Sequence, residues 1–179
     1  MRIRTVKFNF IMNAILTVSS ILFPLITFPY ISRVLLVEGS GKVAFATSVV
    51  SYFTMFATLG IPTYGIRACA RVRDDKEKLS QTVQELLIIS GITTAITYAI
   101  FFILLFIIPQ FAGQKELLIV MGVSIGLTTI GVQWFYSALE QYSYITVCAV
   151  LFKIIGLILM FLLVKEPKDY IIYGSILVE

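Results

Sequence analysis

The sequence predicts an all-α integral membrane protein, a polytopic helical bundle, and three observations carry that expectation. Of its 179 residues, 59% are hydrophobic and only 13% are charged, whereas soluble domains carry about 25% charge. Residues 8–32, 43–66, 86–114 and 117–139 contain no Asp, Glu, Lys or Arg, and each run exceeds the roughly 20 residues that cross a ~30 Å hydrocarbon layer. The basic residues are also unevenly shared between the two sets of connections, as the charge rule for membrane topology requires.

Taken in order, the expected spans cover about 8–33, 43–66, 84–110, 117–138 and 142–164, with a sixth beginning about 170. The first follows Arg2, Arg4 and Lys7, the charge order of a signal peptide. Its apolar run is too long and lacks a small-x-small cleavage site, so the helix is expected to stay. Gly-rich residues 37–42 ("VEGSGK") read as the turn of an antiparallel helix pair, and Gly113 and residues 165–169 ("KEPKD") as the other turns on that side. The segment "RACARVRDDKEK" holds Arg67, Arg71, Arg73, Lys76 and Lys78. Together with the N-terminal cations these place the N-terminus and the second connection on the cytoplasmic side. The net charge of +4 is then a topology signal and gives no case for nucleic acid. The sixth span stops after a few residues, as expected of the N-terminal lobe of a longer protein whose C-terminal lobe is absent here.

Polar residues inside the spans are the functional signal. Asn9, Asn13, Thr17, Ser20, Pro24 and Thr27 recur at three and four residues and so share one stripe of the first helix. Pro24 and Pro29 each remove a helix hydrogen bond. Such breaks at membrane depth are tolerated where they meet a cavity or a neighbouring helix. Weaker stripes of Thr and Ser run along the second and third spans; membrane helix packing accounts for them equally well. Lys153 lies eleven residues from either end of the fifth span, about 17 Å from each boundary. A lysine there costs about 2.5–3.5 kcal/mol on insertion scales and points to an ion or substrate path. Cys69 and Cys148 have no metal-like spacing and read as small hydrophobes. Without histidine or a long loop, the chain offers no catalytic cluster for a membrane enzyme such as a polymerase or acyltransferase, and no cofactor is called for.

Three segments also carry a resemblance. Pro29-Tyr30-Ile31-Ser32-Arg33, Gly41, Leu59-Gly60-Ile61-Pro62, Gly65 and Arg67, then Trp134-Phe135-Tyr136 with Leu139-Glu140, resemble the N-terminal half of Wzx-type polysaccharide flippases in the multidrug/oligosaccharidyl-lipid/polysaccharide exporter superfamily. Two departures are Leu36, where a glycine often follows Arg-Val-Leu, and Ser137-Ala138, where Gln-Gly is common. The resemblance implies transport of an undecaprenyl-pyrophosphate-linked oligosaccharide repeat unit, for O-antigen or capsule, across the bacterial cytoplasmic membrane by alternating access. It implies the bilayer, the lipid-linked substrate and a polysaccharide polymerase with its assembly proteins as partners. Under that reading Arg33, Arg67 and Lys153 would meet the phosphates. Asn13, Tyr30, Tyr64 and Trp134 would meet sugars, Glu140 would couple an ion, and Pro24 and Pro29 would kink the first helix. A cation-coupled multidrug exporter of the same superfamily, or a non-transporting membrane subunit, are the alternatives.

Overall fold

The computed structural model describes residues 6–178, and among them every regular element is a helix. Arg2 and Arg4 lie outside the described residues. The elements are α1 (Val6–Val34), α2 (Leu36–Thr58), α3 (Ile61–Val72), α4 (Lys76–Ile107), α5 (Lys115–Ile130), α6 (Gln133–Ala138), α7 (Tyr142–Leu163) and α8 (Tyr170–Ile176). Short 3-10 turns at Pro109–Gln114 and Pro167–Asp169 lead into α5 and α8.

Five segments are long and apolar enough to cross a membrane, and two of them are broken inside. The segment Leu36–Val72 is interrupted at Leu59 and Gly60, both left-handed at φ 41° and φ 74°. The segment Pro109–Ala138 is interrupted at Gly131 and Val132, whose ψ values of 84° and 41° leave the helix. Both breaks coincide with a glycine, the residue least penalised outside helical geometry.

The first turn differs from the sequence expectation. Residues 37–42 are not a loop; they form the opening turns of α2, and the chain reverses within Leu35-Leu36 instead. An ion pair from Lys42 to Glu38 at 2.7 Å staples those turns one helical repeat apart. Gly39 serves close packing here, since a Cβ on it would sit 3.2 Å from the Pro167 carbonyl oxygen. Leu36 takes φ 57°, a left-handed conformation that costs an L-residue about 1–2 kcal/mol. That is the position at which the resembling proteins often carry glycine. The turn between α3 and α4 is better built: the Asp75 carboxylate caps α4 by accepting from the Glu77 and Lys78 backbone N–H groups at 3.2 Å each.

Packing assembles these helices into a body and a side pair. In the body, α2 lies along α5 and α3 along α6, while α4 packs on α2, α3 and α5 and meets α6 through side chains of a small apolar core. One apolar core joins α2, the C-terminal half of α4, α5 and the C-terminal ends of α1 and α7, with Phe101, Leu105, Leu117, Leu118 and Ile125 nearly inaccessible. A second, smaller core joins Ile61 and Cys69 of α3, Leu86 of α4, and Trp134 and Ala138 of α6. Beside this body, α1 packs chiefly on α7.

Candidate functional site

The polar centre of the molecule lies in the seam between α1 and α7. Met12, Leu16, Ser19, Phe23, Tyr30 and Val34 of α1 are all part-buried, and their three- and four-residue spacing puts them on one face. Thr146, Lys153, Met160 and Val164 form the facing row at α7. Hydrogen bonds cross at three levels. Thr146 Oγ1 donates to the Met12 carbonyl at 3.0 Å, Lys153 Nζ donates to Ser19 Oγ at 3.2 Å, and Tyr30 OH donates to the Val164 carbonyl at 2.8 Å. Each joins residues 134 apart in sequence. A constant offset means that α1 and α7 run parallel and in register, as in a two-stranded coiled coil.

Lys153 also donates to Ser20 Oγ at 2.7 Å. Ser20 is the midpoint of α1 and Lys153 falls at the middle of α7, so the ammonium stays at mid-depth instead of stretching to a headgroup layer. Its partners are two hydroxyls and no carboxylate. Serine dipoles soften the desolvation of the lysine head group, and no acidic side chain is among its hydrogen-bond partners. Pro24 adds polarity at the same point: lacking an N–H, it leaves the Ser20 carbonyl without its usual helix partner. Both prolines nonetheless lie within one continuous helix.

Alongside the seam, Asn13, Thr17, Ser20 and Pro24 are exposed, forming a polar stripe that borders the Lys153 position. The Thr17 and Ser20 hydroxyls each donate to a carbonyl one turn back, at 2.9 Å. Asn9, at the N-terminal end of the stripe, is buried with its Oδ1 unpartnered. The stripe and Lys153 are brought together; the other candidates are elsewhere. Arg33 is thirteen residues beyond Ser20, about 20 Å along α1 and roughly 140° round it. Arg67 is exposed on α3, sharing a face with Tyr64 and Arg71, and α3 packs on α4 and α6. Neither Arg33 nor Arg67 makes an ion pair among the described residues.

Tyr30 is engaged by the Val164 carbonyl and by the edge of Phe161, with ring centroids 4.6 Å apart. Trp134 is buried against Gly65, where a Cβ would come within 2.6 Å of the indole. Glu140 accepts from Arg73 at 3.1 Å, an exposed pair that ties the α6–α7 turn to the end of α3. A groove between α4 and α6, lined by Lys76, Leu79, Ser80, Val83, Gln84 and Phe135, contains none of the candidate residues. Ser19 and Thr146 are the polar partners that the sequence reading passed over. Aligning the polar positions of the first and fifth spans at a common offset would have exposed both.

The sequence profile of the family described as "Polysaccharide biosynthesis protein" matches residues 6–178. A protein of Escherichia coli (strain K12) named "Putative O-antigen transporter" is 24% identical over 168 residues, covering 94% of this chain and 40% of the relative. A protein of the same name from Shigella dysenteriae is 24% identical over 165 residues, covering 92% and 41%. The chain thus spans about two fifths of the length of these curated relatives. No solved structure matches it at a significant level. With the profile covering nearly every residue of a multi-pass helical bundle, this chain belongs to the polysaccharide biosynthesis protein family.

Proposed function

We propose that this chain is the N-terminal lobe of a flippase that moves a lipid-linked oligosaccharide, with an undecaprenyl-pyrophosphate carrier, across the bacterial cytoplasmic membrane by alternating access. The N-terminus would be cytoplasmic. The observation that carries the reading is Lys153, a mid-depth cation held by two serine hydroxyls beside an exposed polar stripe. A diphosphate cannot cross hydrocarbon without fixed positive charge and hydroxyl or amide donors, and this locus supplies both kinds of group. The transporter names of the relatives and the family match support the same direction. Arg33 and Arg67, exposed toward opposite ends of the spans, serve in this reading as successive phosphate contacts at the two mouths. Asn13 and Tyr64 remain free to meet sugars, whereas Tyr30 and Trp134 would have to leave their packing to do so.

A cation-coupled drug exporter is disfavoured by one observation: among the described residues no Asp or Glu is buried. The same fact makes Glu140, already paired with Arg73, a weak coupling site.

The test uses the full-length gene in a strain lacking its own flippase, with surface polysaccharide as the readout. Lys153→Met keeps the apolar stem and removes the charge. It is expected to reach the membrane in at least normal amount, because it relieves the insertion cost of about 2.5–3.5 kcal/mol, while export falls at least about tenfold, the effect of losing roughly 1.4 kcal/mol of binding. Lys153→Arg should retain part of the activity. Normal polysaccharide from Lys153→Met would overturn the proposal.

A further inference from the structure

We infer that α3, α6 and the opening turns of α4 form one rigid foot that swings against the rest of the bundle about a belt of threonines at mid-height, whatever cargo the protein carries. Four independent features converge on that belt. The two broken segments are broken at one level: adjacent residues of α4 bond to positions two residues before each break. Thr93 Oγ1 donates to the Ala57 carbonyl at 2.6 Å, and the Thr94 and Thr129 hydroxyls are 2.7 Å apart, with the breaks at Leu59-Gly60 and Gly131-Val132. Beyond its last turns α2 has no residue to supply the usual donor to that carbonyl, so the Thr93 hydroxyl takes the place of a helical N–H.

The apolar core divides at the same level. One cluster uses Leu79, Val83 and Leu86 of α4 and the other Phe101 and Leu105, with the buried hydroxyls of Ser90, Thr94 and Thr97 between them. Packed cores move as units, and a polar belt between two of them is where bonds exchange most cheaply. Third, α4 crosses the belt as a continuous helix at Ser90-Gly91, a pair of the kind at which helices bend. Finally, the foot is tied within itself, by the Gly65–Trp134 contact at one end and the Arg73–Glu140 ion pair at the other. Swinging it would move α3 and α6 against α2 and α5 without disturbing either core.

Distances between spin labels in the full-length protein in lipid nanodiscs test this, with Cys69 and Cys148 replaced by alanine. Labels at Arg71 and Ile119 bridge the belt; pairs at Arg71 and Gln84, and at Val37 and Ile119, lie within the foot and within the upper body. The bridging pair is expected to give a distribution at least about twofold broader than either reference pair, or two peaks. Thr93→Val should broaden it further. Gly91→Ala, where a Cβ meets open space, should narrow it by favouring straight helix. A bridging distribution as narrow as the references and indifferent to both variants would overturn the hinge. Because no transport is measured, that result would leave the flippase reading standing.

Discussion

Between α1 and α7 the contacts that cross the seam are polar at three levels. The helix α4 also bonds across to α2 and α5, through Thr93, Thr94 and Tyr98, but there the bonds are set among Phe, Leu, Ile and Met side chains with almost no accessible surface. Burial differs most at α1: 6% of its most apolar stretch is covered, against 33% for Pro109–Ala138. In a bilayer, apolar contact between helices gains little over contact with lipid, and small-residue packing and hydrogen bonds hold helices together. The body therefore adds close fit to its bonds, whereas α1 is held on α7 by a few directional bonds that a ligand could replace. A region built that way is suited to binding; the other is suited to holding shape.

Substitutions can break this contrast. The largest effect is expected in the body: Trp134→Ala should lower unfolding stability by about 3–5 kcal/mol, read as loss of helical signal on denaturant titration in micelles, because the indole fills the space over Gly65. At the turn that joins the two regions, Leu36→Gly should raise stability by about 1 kcal/mol by relieving the left-handed residue, visible as a higher thermal midpoint; no gain would mean that the turn is unstrained. Asp75→Ala should lower stability by less than Trp134→Ala, through loss of the α4 cap. The Lys78 backbone N–H, then its ammonium, hold the Asp75 carboxyl below its usual value. A lowered folded value means that the cap contributes above the ordinary carboxylate range of about 4 and is lost as pH falls through the lowered value. Acidification in that window should thus lower the amide protection factors, corrected for the intrinsic pH dependence of exchange, in the first turn of α4 of the parent and leave those of Asp75→Ala unchanged. The smallest effect belongs to the seam. Tyr30→Phe removes one bond to the Val164 carbonyl, worth about 0.6 kcal/mol, and should accelerate amide exchange in the C-terminal half of α1 while α5 is unaffected.

The spans were legible because a chain in hydrocarbon must satisfy its own backbone, so long uncharged runs are forced into helices. Lys153 was legible for a related reason: a lone cation in such a run stands out against its cost. Its partners were not, because choosing Ser19 and Ser20 requires knowing that α1 and α7 run parallel at one offset, a tertiary fact. The breaks were equally hidden. Leu59-Gly60 and Gly131 sit inside apolar runs that hydropathy reads as unbroken, and the backbone angles of the folded chain, with the neighbouring hydroxyls of α4, show where it leaves the helix. Gly39 misled in the opposite direction, since a glycine that permits close packing looks, in sequence, like one that makes a turn. The hydroxyls of α4, for which packing was an adequate account, turn out to lie where two cores meet.

The uniform spacing of the links between α1 and α7 has a kinetic corollary. Were α1 to slide along its neighbour by a single residue, about 1.5 Å, the Thr146–Met12 and Tyr30–Val164 links would lose their mates together, whereas Lys153 bonds two adjacent residues, Ser19 and Ser20, and can keep one of them. Axial travel of this helix therefore frees its two ends at once and leaves the lysine as the tether between them.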